Sequence, residues 1–150
     1  MENSVLNNKL ITAEVGYFAA AQVAKSTSVL DMADCDSATC IVHIGTALAN
    51  GTIKIEAFGG DVAGAAVTEY AGELVYTEPA ANPISDFLVV LEVKNPSKRY
   101  IKFTVTPGVA DAVLCGAEVI RTPRNLPAVQ LAATTGVMAS SVVISPAAAV

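Results

Sequence analysis

The sequence predicts an all-β protein: an antiparallel, jelly-roll-like β-sandwich with extended N- and C-terminal arms. Three observations predict it. From Ser26 onward the side chains alternate with the period of a strand rather than that of a helix. Short apolar runs recur at the close, regular spacing of sandwich and barrel strands, separated by Gly, Pro and Asn turns. The apolar excess lies in Ala, Val and Ile, with no Trp and 5% aromatic residues, a composition that suits pleated, half-buried surfaces.

Taken in order, residues 28–32 read as a short strand. Residues 38–45 read as a second, rich in β-branched side chains at Thr39, Ile41, Val42 and Ile44. Asn50-Gly51 follows, the strongest short turn signal. In 52–58, Ile53, Ile55 and Ala57 point one way while Thr52, Lys54 and Glu56 point the other, which marks a strand with one wet face. Gly59-Gly60-Asp61 ends it. Residues 65–70 read as a weaker strand and 72–77 as another. Pro79 and Pro83 make the next stretch a loop. The nearly continuous apolar run 86–93 is expected to be buried on both faces. Asn95-Pro96-Ser97 turns the chain, and 99–106 alternates with Ile101, Phe103 and Val105 inward. Pro107-Gly108 opens a loop before the last strand, 112–121.

The ends lack this regularity. Helix is admissible only within 12–24, where Ala13, Ala19, Ala20, Ala21 and Ala24 favour it. Gly16-Tyr17-Phe18 would weaken it, and an extended arm fits equally well. The organisation expected is an N-terminal arm over 1–25, a sandwich core over 26–127 and a C-terminal arm over 128–150. A chain of 150 residues suits one core that folds without a disulfide or metal.

Charge is scarce: 53% of residues are hydrophobic and only 15% charged, below the usual quarter or so. A small domain with so few charges is expected to be partly covered by other chains. The net charge of −5 argues against nucleic acid, which needs a basic face. The N-terminus lacks the basic and apolar regions of a secretory signal, and no apolar stretch is long enough to cross a bilayer. The three cysteines, Cys35, Cys40 and Cys115, fit free thiols in a reducing compartment.

The last charged residue is Arg124, yet the tail beyond it is apolar at Val129, Leu131, Val137, Met138, Val142, Val143 and Ile144. Such a tail should either fold back as an added strand or lie on the exposed edge of a neighbouring chain; the second is favoured. The expected protein-contact residues are Val5, Leu10, Tyr17, Phe18, Arg121, Arg124, Asn125, Val129, Leu131, Val137, Met138, Val142 and Ile144. For Arg121, Arg124 and Asn125, exposed turn residues without a partner are as good a reading.

Catalytic chemistry is not evident. The single histidine, His43, lies within an alternating strand and has no Gly-x-Ser-x-Gly elbow with it. Cys35 and Cys40 lack further ligands at metal-binding spacing. Asp31, Asp34 and Asp36 form an acidic turn without the glycine and distal glutamate of a calcium loop. No catalytic residue, cofactor or metal is therefore assigned, and the protein is read as a non-enzyme.

Residues 26–127 resemble a group of small β-sandwich proteins encoded among the structural genes of tailed phages. The resemblance rests on the order of five features. These are 28–32 (Ser-Val-Leu-Asp-Met), 41–46 (Ile-Val-His-Ile-Gly-Thr), 51–57 (Gly-Thr-Ile-Lys-Ile-Glu-Ala), the strand opening at Lys98-Arg99-Tyr100, and 117–127, an apolar strand running into Arg124-Asn125-Leu126-Pro127. It implies a capsid decoration or cement protein, made in the host cytoplasm and held on the virion surface. Its partners would be the major capsid protein and itself, as a homotrimer at three-fold positions, where it bridges neighbouring capsid subunits. The loop 71–85 and the tail after Pro127 depart from the pattern. The alternatives are a host-receptor or glycan-binding sandwich module of a virion, and a small enzyme using His43 or the acidic turn.

Overall fold

The computed structural model describes residues 9–64, 68–70, 73–81 and 83–124. They form eleven strands: β1 (Leu10–Val15), β2 (Phe18–Ala21), β3 (Lys25–Ser26), β4 (Leu30–Asp31), β5 (Cys35–Ala47), β6 (Thr52–Gly60), β7 (Thr68–Glu69), β8 (Leu74–Thr77), β9 (Ser85–Lys94), β10 (Tyr100–Gly108) and β11 (Ala112–Pro123). Among the described residues, no helix is long and apolar enough to cross a membrane.

Two antiparallel sheets pack face to face. The first runs β1-β11-β5-β9, with β2 also on β11; the second runs β3-β10-β6-β7, with β4 also on β10 and β8 on β6. With β1 and β2 taken as one position, and likewise β3 and β4, the chain alternates between sheets except from β6 to β7 and β8. Counting β3/β4 and β7/β8 as one position each, the order is the double Greek key of a jelly roll.

Alternation in the sequence builds the core directly. Ile53, Ile55 and Ala57 from β6, and Ile101, Phe103 and Val105 from β10, meet Ala38, Cys40, Val42 and Ile44 from β5 and Leu114, Ala117 and Val119 from β11. All are buried. At the β5–β6 turn Asn50 takes the left-handed conformation (φ 61°). A Cβ on Gly51 would lie 2.8 Å from the Leu48 carbonyl oxygen, so the turn closes only around glycine.

The segment expected as an N-terminal arm is extended but paired. β1 aligns Leu10 with Arg121 and Val15 with Ala117, and β2 aligns Phe18 with Leu114 and Ala21 with Ala112. Strand β11, at twelve residues, is long enough to take both along one side. No helix forms within 12–24, because pairing with β11 satisfies the backbone that the helix would have satisfied locally. The segment 128–150, expected as a C-terminal arm, lies outside the described residues.

A second difference concerns the apolar run 86–93. It forms the edge strand of the first sheet, not a doubly buried one: only Val89 is buried, while Leu88 and Val90 are 55% and 46% exposed. Each sheet of a two-layer sandwich is covered on one face only, so the second apolar face of this run stays in solvent. In short apolar runs the two cases look alike.

Candidate interaction surface

The two outer faces of the sandwich differ. On the second sheet the outward residues are mostly polar, with Val75 and Phe58 among them: Lys54 pairs with Glu56 at 2.8 Å and approaches Glu73 at 3.6 Å, and Ser26 and Thr104 share a hydrogen bond of 2.9 Å. On the first sheet a rung runs from Val90 through Ile41 and Glu118 to Ala13, and the adjacent register pairs Leu88 with His43. Ile120 and Ile11 stand opposite each other further along. The middle of this face is thus largely aliphatic around one couple, His43 Nε2 3.0 Å from Glu118 Oε1, while Asp86, Glu92 and Lys94 make the ends of β9 charged.

Among the described residues, that couple is the nearest approach to catalytic geometry, and no serine, threonine or cysteine is hydrogen-bonded to His43. A shallow cavity of about 200 Å³ beside His43 is lined by Ile44, Asp86, Phe87, Leu88 and Cys115. Among the described residues, no group of three or more His, Cys, Asp or Glu is placed to hold a metal ion. All three thiols are free. Cys35 and Cys40 are buried in β5 and Cys115 is exposed in β11. Burial pushes the Cys35 thiol up, and the Cys40 thiol up to about 12.

The acidic turn between β4 and β5 is neutralised within the chain. Arg99 grips the Asp31 carboxylate through both ends, Nε to Oδ1 at 3.0 Å and Nη2 to Oδ2 at 2.8 Å. This donation holds the Asp31 carboxyl below its usual range and raises Arg99 further. Arg121 donates to the Asp31 carbonyl at 3.1 Å. Arg124 donates from Nε to Asp36 at 2.7 Å and from its backbone to the Asp34 carbonyl at 2.7 Å. The turn serves as an anchor for three arginines.

The expected contact residues therefore scatter. Arg121 and Arg124 are tied to the acidic turn. Leu10 is half-buried against the core, and Phe18 lies under Lys25 Nζ, 3.7 Å from the ring centre. Tyr17, between β1 and β2, is 70% exposed. Val5, Asn125, Val129, Leu131, Val137, Met138, Val142 and Ile144 lie outside the described residues.

Sequence reasoning missed the exposed side of β9. A signal was present: Asp86, Leu88, Val90, Glu92 and Lys94 share one parity, and charges at three of those five positions mark a face turned to water.

No family model and no curated protein matches the chain. Among solved structures, one chain from Bacillus endospore appendages, described as a novel family of disulfide-linked pili, is 15% identical, with a TM-score of 0.43. The match covers 83% of this chain and 98% of that one.

Proposed function

We propose that the protein is a structural virion component that decorates or cements a tailed-phage capsid, bridging neighbouring capsid subunits. The observation that carries the reading is the outer face of the first sheet, which presents Leu88, Val90, Ile41 and Ile120 around the His43–Glu118 couple, with Asp86, Glu92 and Lys94 at the ends of β9. An aliphatic sheet face with an uncharged apolar segment after Arg124 is chemistry for gripping protein surfaces. The order of sequence features shared with phage structural proteins supplies the choice of partner, the major capsid protein. Repeated weak contacts around a shell would hold the protein firmly without any one large interface.

The test is co-sedimentation of the full chain with shells assembled from the major capsid protein of a tailed phage. Stoichiometric retention is expected, and removal of residues 128–150 should release the protein while the described strands, all ending at or before Pro123, stay folded. A chain that ignores shells, or that binds glycans on an array through the same face, would overturn the reading in favour of a receptor-binding module.

A further inference from the structure

The sandwich has four sheet edges, and three are broken up. In the first sheet, the β1 side carries a register shift between Ala13 and Val15 and then passes to the four-residue β2. In the second sheet, one edge is made of two-residue pieces, β3 and β4, and the other of β7 and β8, with two and four residues. Short, interrupted edges are how β proteins avoid pairing with other chains. The fourth edge is different. β9 is ten residues long, contains no proline, and keeps unbroken register with β5 from Lys94 to Phe87; Asp86 beyond it takes a left-handed backbone (φ 57°) before Ser85 pairs again with Thr46. Among the described residues, no strand pairs with its other side.

From this we infer that β9 is a self-association strand: it pairs antiparallel with β9 of a second copy, joining the two first sheets into one across a two-fold axis. An edge-to-edge contact between unlike edges needs two long open edges, and the described residues offer one, so the symmetric solution is the available one. Charge selects the register. Centred on Val90, the pairing sets Val90 opposite its own symmetry mate, Asp86 opposite the partner's Lys94, and Lys94 opposite the partner's Asp86. A shift that centres the pair on Val89 would instead set Asp86 against the partner's Glu92, like charges facing each other. In the chosen register the inward side chains also match. Leu91 meets the partner's Val89, and Val93 meets the partner's Phe87. That second contact falls at a cleft of about 300 Å³ lined by Tyr70, Leu91, Val93 and Pro96, where the inner side of β9 is still open. The half-buried Phe87, Leu91 and Val93 would thereby lose their remaining contact with water.

The experiment uses the full chain. Sedimentation equilibrium should give a mass near twice the 15.3 kDa of one chain. Val90→Lys should halve it, with the far-ultraviolet circular dichroism unchanged. In a Cys115→Ser background, Val90→Cys should cross-link to itself on mild oxidation. Leu88→Cys should not, because it opposes the partner's Glu92 and not itself. A monomer, a trimer of the kind the phage resemblance implies, an assembly that survives Val90→Lys, or equal cross-linking at both positions would each overturn the pairing. The inference does not rest on the virion reading. A monomer that still binds shells sinks the edge pairing alone, and a dimer that ignores shells sinks the virion assignment alone.

Discussion

Val89 and Val90 are consecutive residues of β9 with opposite fates: Val89 is 5% exposed and packs into the core, whereas Val90 stands on the outer face opposite Ile41. The pair separates what β9 does for folding from what it offers to a partner.

A lysine at each position should report that difference. Val89→Lys buries an unpaired ammonium in an aliphatic layer, and a loss of about 2 kcal/mol or more in unfolding free energy is expected. Val90→Lys stays in solvent and should change stability by no more than about 0.5 kcal/mol. Urea titration followed by circular dichroism, at concentrations where both variants are monomeric, makes the comparison fair, because association would add its own stabilisation. Equal losses at the two positions would mean that β9 is covered on both faces after all.

The Asp31–Arg99 fork should give stability a dependence on acid. The folded-state pKa of Asp31 lies below its ordinary value of 3.8, chiefly because Arg99 donates to its carboxylate. A depressed carboxyl pKa contributes stability that is fully present above the unfolded value and is lost as pH falls through the folded one. Asp31→Asn should therefore be less stable than the parent at neutral pH, and the gap should close below about pH 3.8. Melting temperatures across that range measure it. Both partners are half-exposed, so salt should shrink the gap as well. A gap that persists unchanged into strong acid would show that the asparagine disturbs the turn by shape and not by charge.

Thiol chemistry should distinguish the three cysteines. Cys115 is exposed, whereas Cys35 and Cys40 are buried, with thiols raised by desolvation. At neutral pH the thiolate is the reactive form. Iodoacetamide should add one group to the native protein, at Cys115, and three after denaturation, as read by intact mass. Rapid labelling of Cys40 in the native state would contradict its place between the sheets.

Much of the fold can be read from single residues. The inward sets Ile53–Ile55–Ala57 and Ile101–Phe103–Val105 follow from alternation alone, and all six are buried. Asn50-Gly51 marks its turn because few other residues tolerate that backbone. The interaction surface was far less legible. Leu88 and Val90 sit in a run where every neighbour is also apolar, so hydrophobicity does not tell an exposed face from a buried one. Arg121 and Arg124 gave no hint that they are spoken for by Asp31, Asp34 and Asp36, which lie some ninety residues earlier in the chain.

The period of the side chains and the chemistry of the turns determined, without any structure, that this is a β-sandwich and which residues fill it. Tertiary structure alone decided which strand stands at the edge, that residues 10–21 join β11, and that the acidic turn is closed by arginines. The reason is that side chains choose a face of the sheet, whereas the ladder on either side is made by backbone groups common to every residue. Which strand goes without a neighbour is settled only when the whole core has packed.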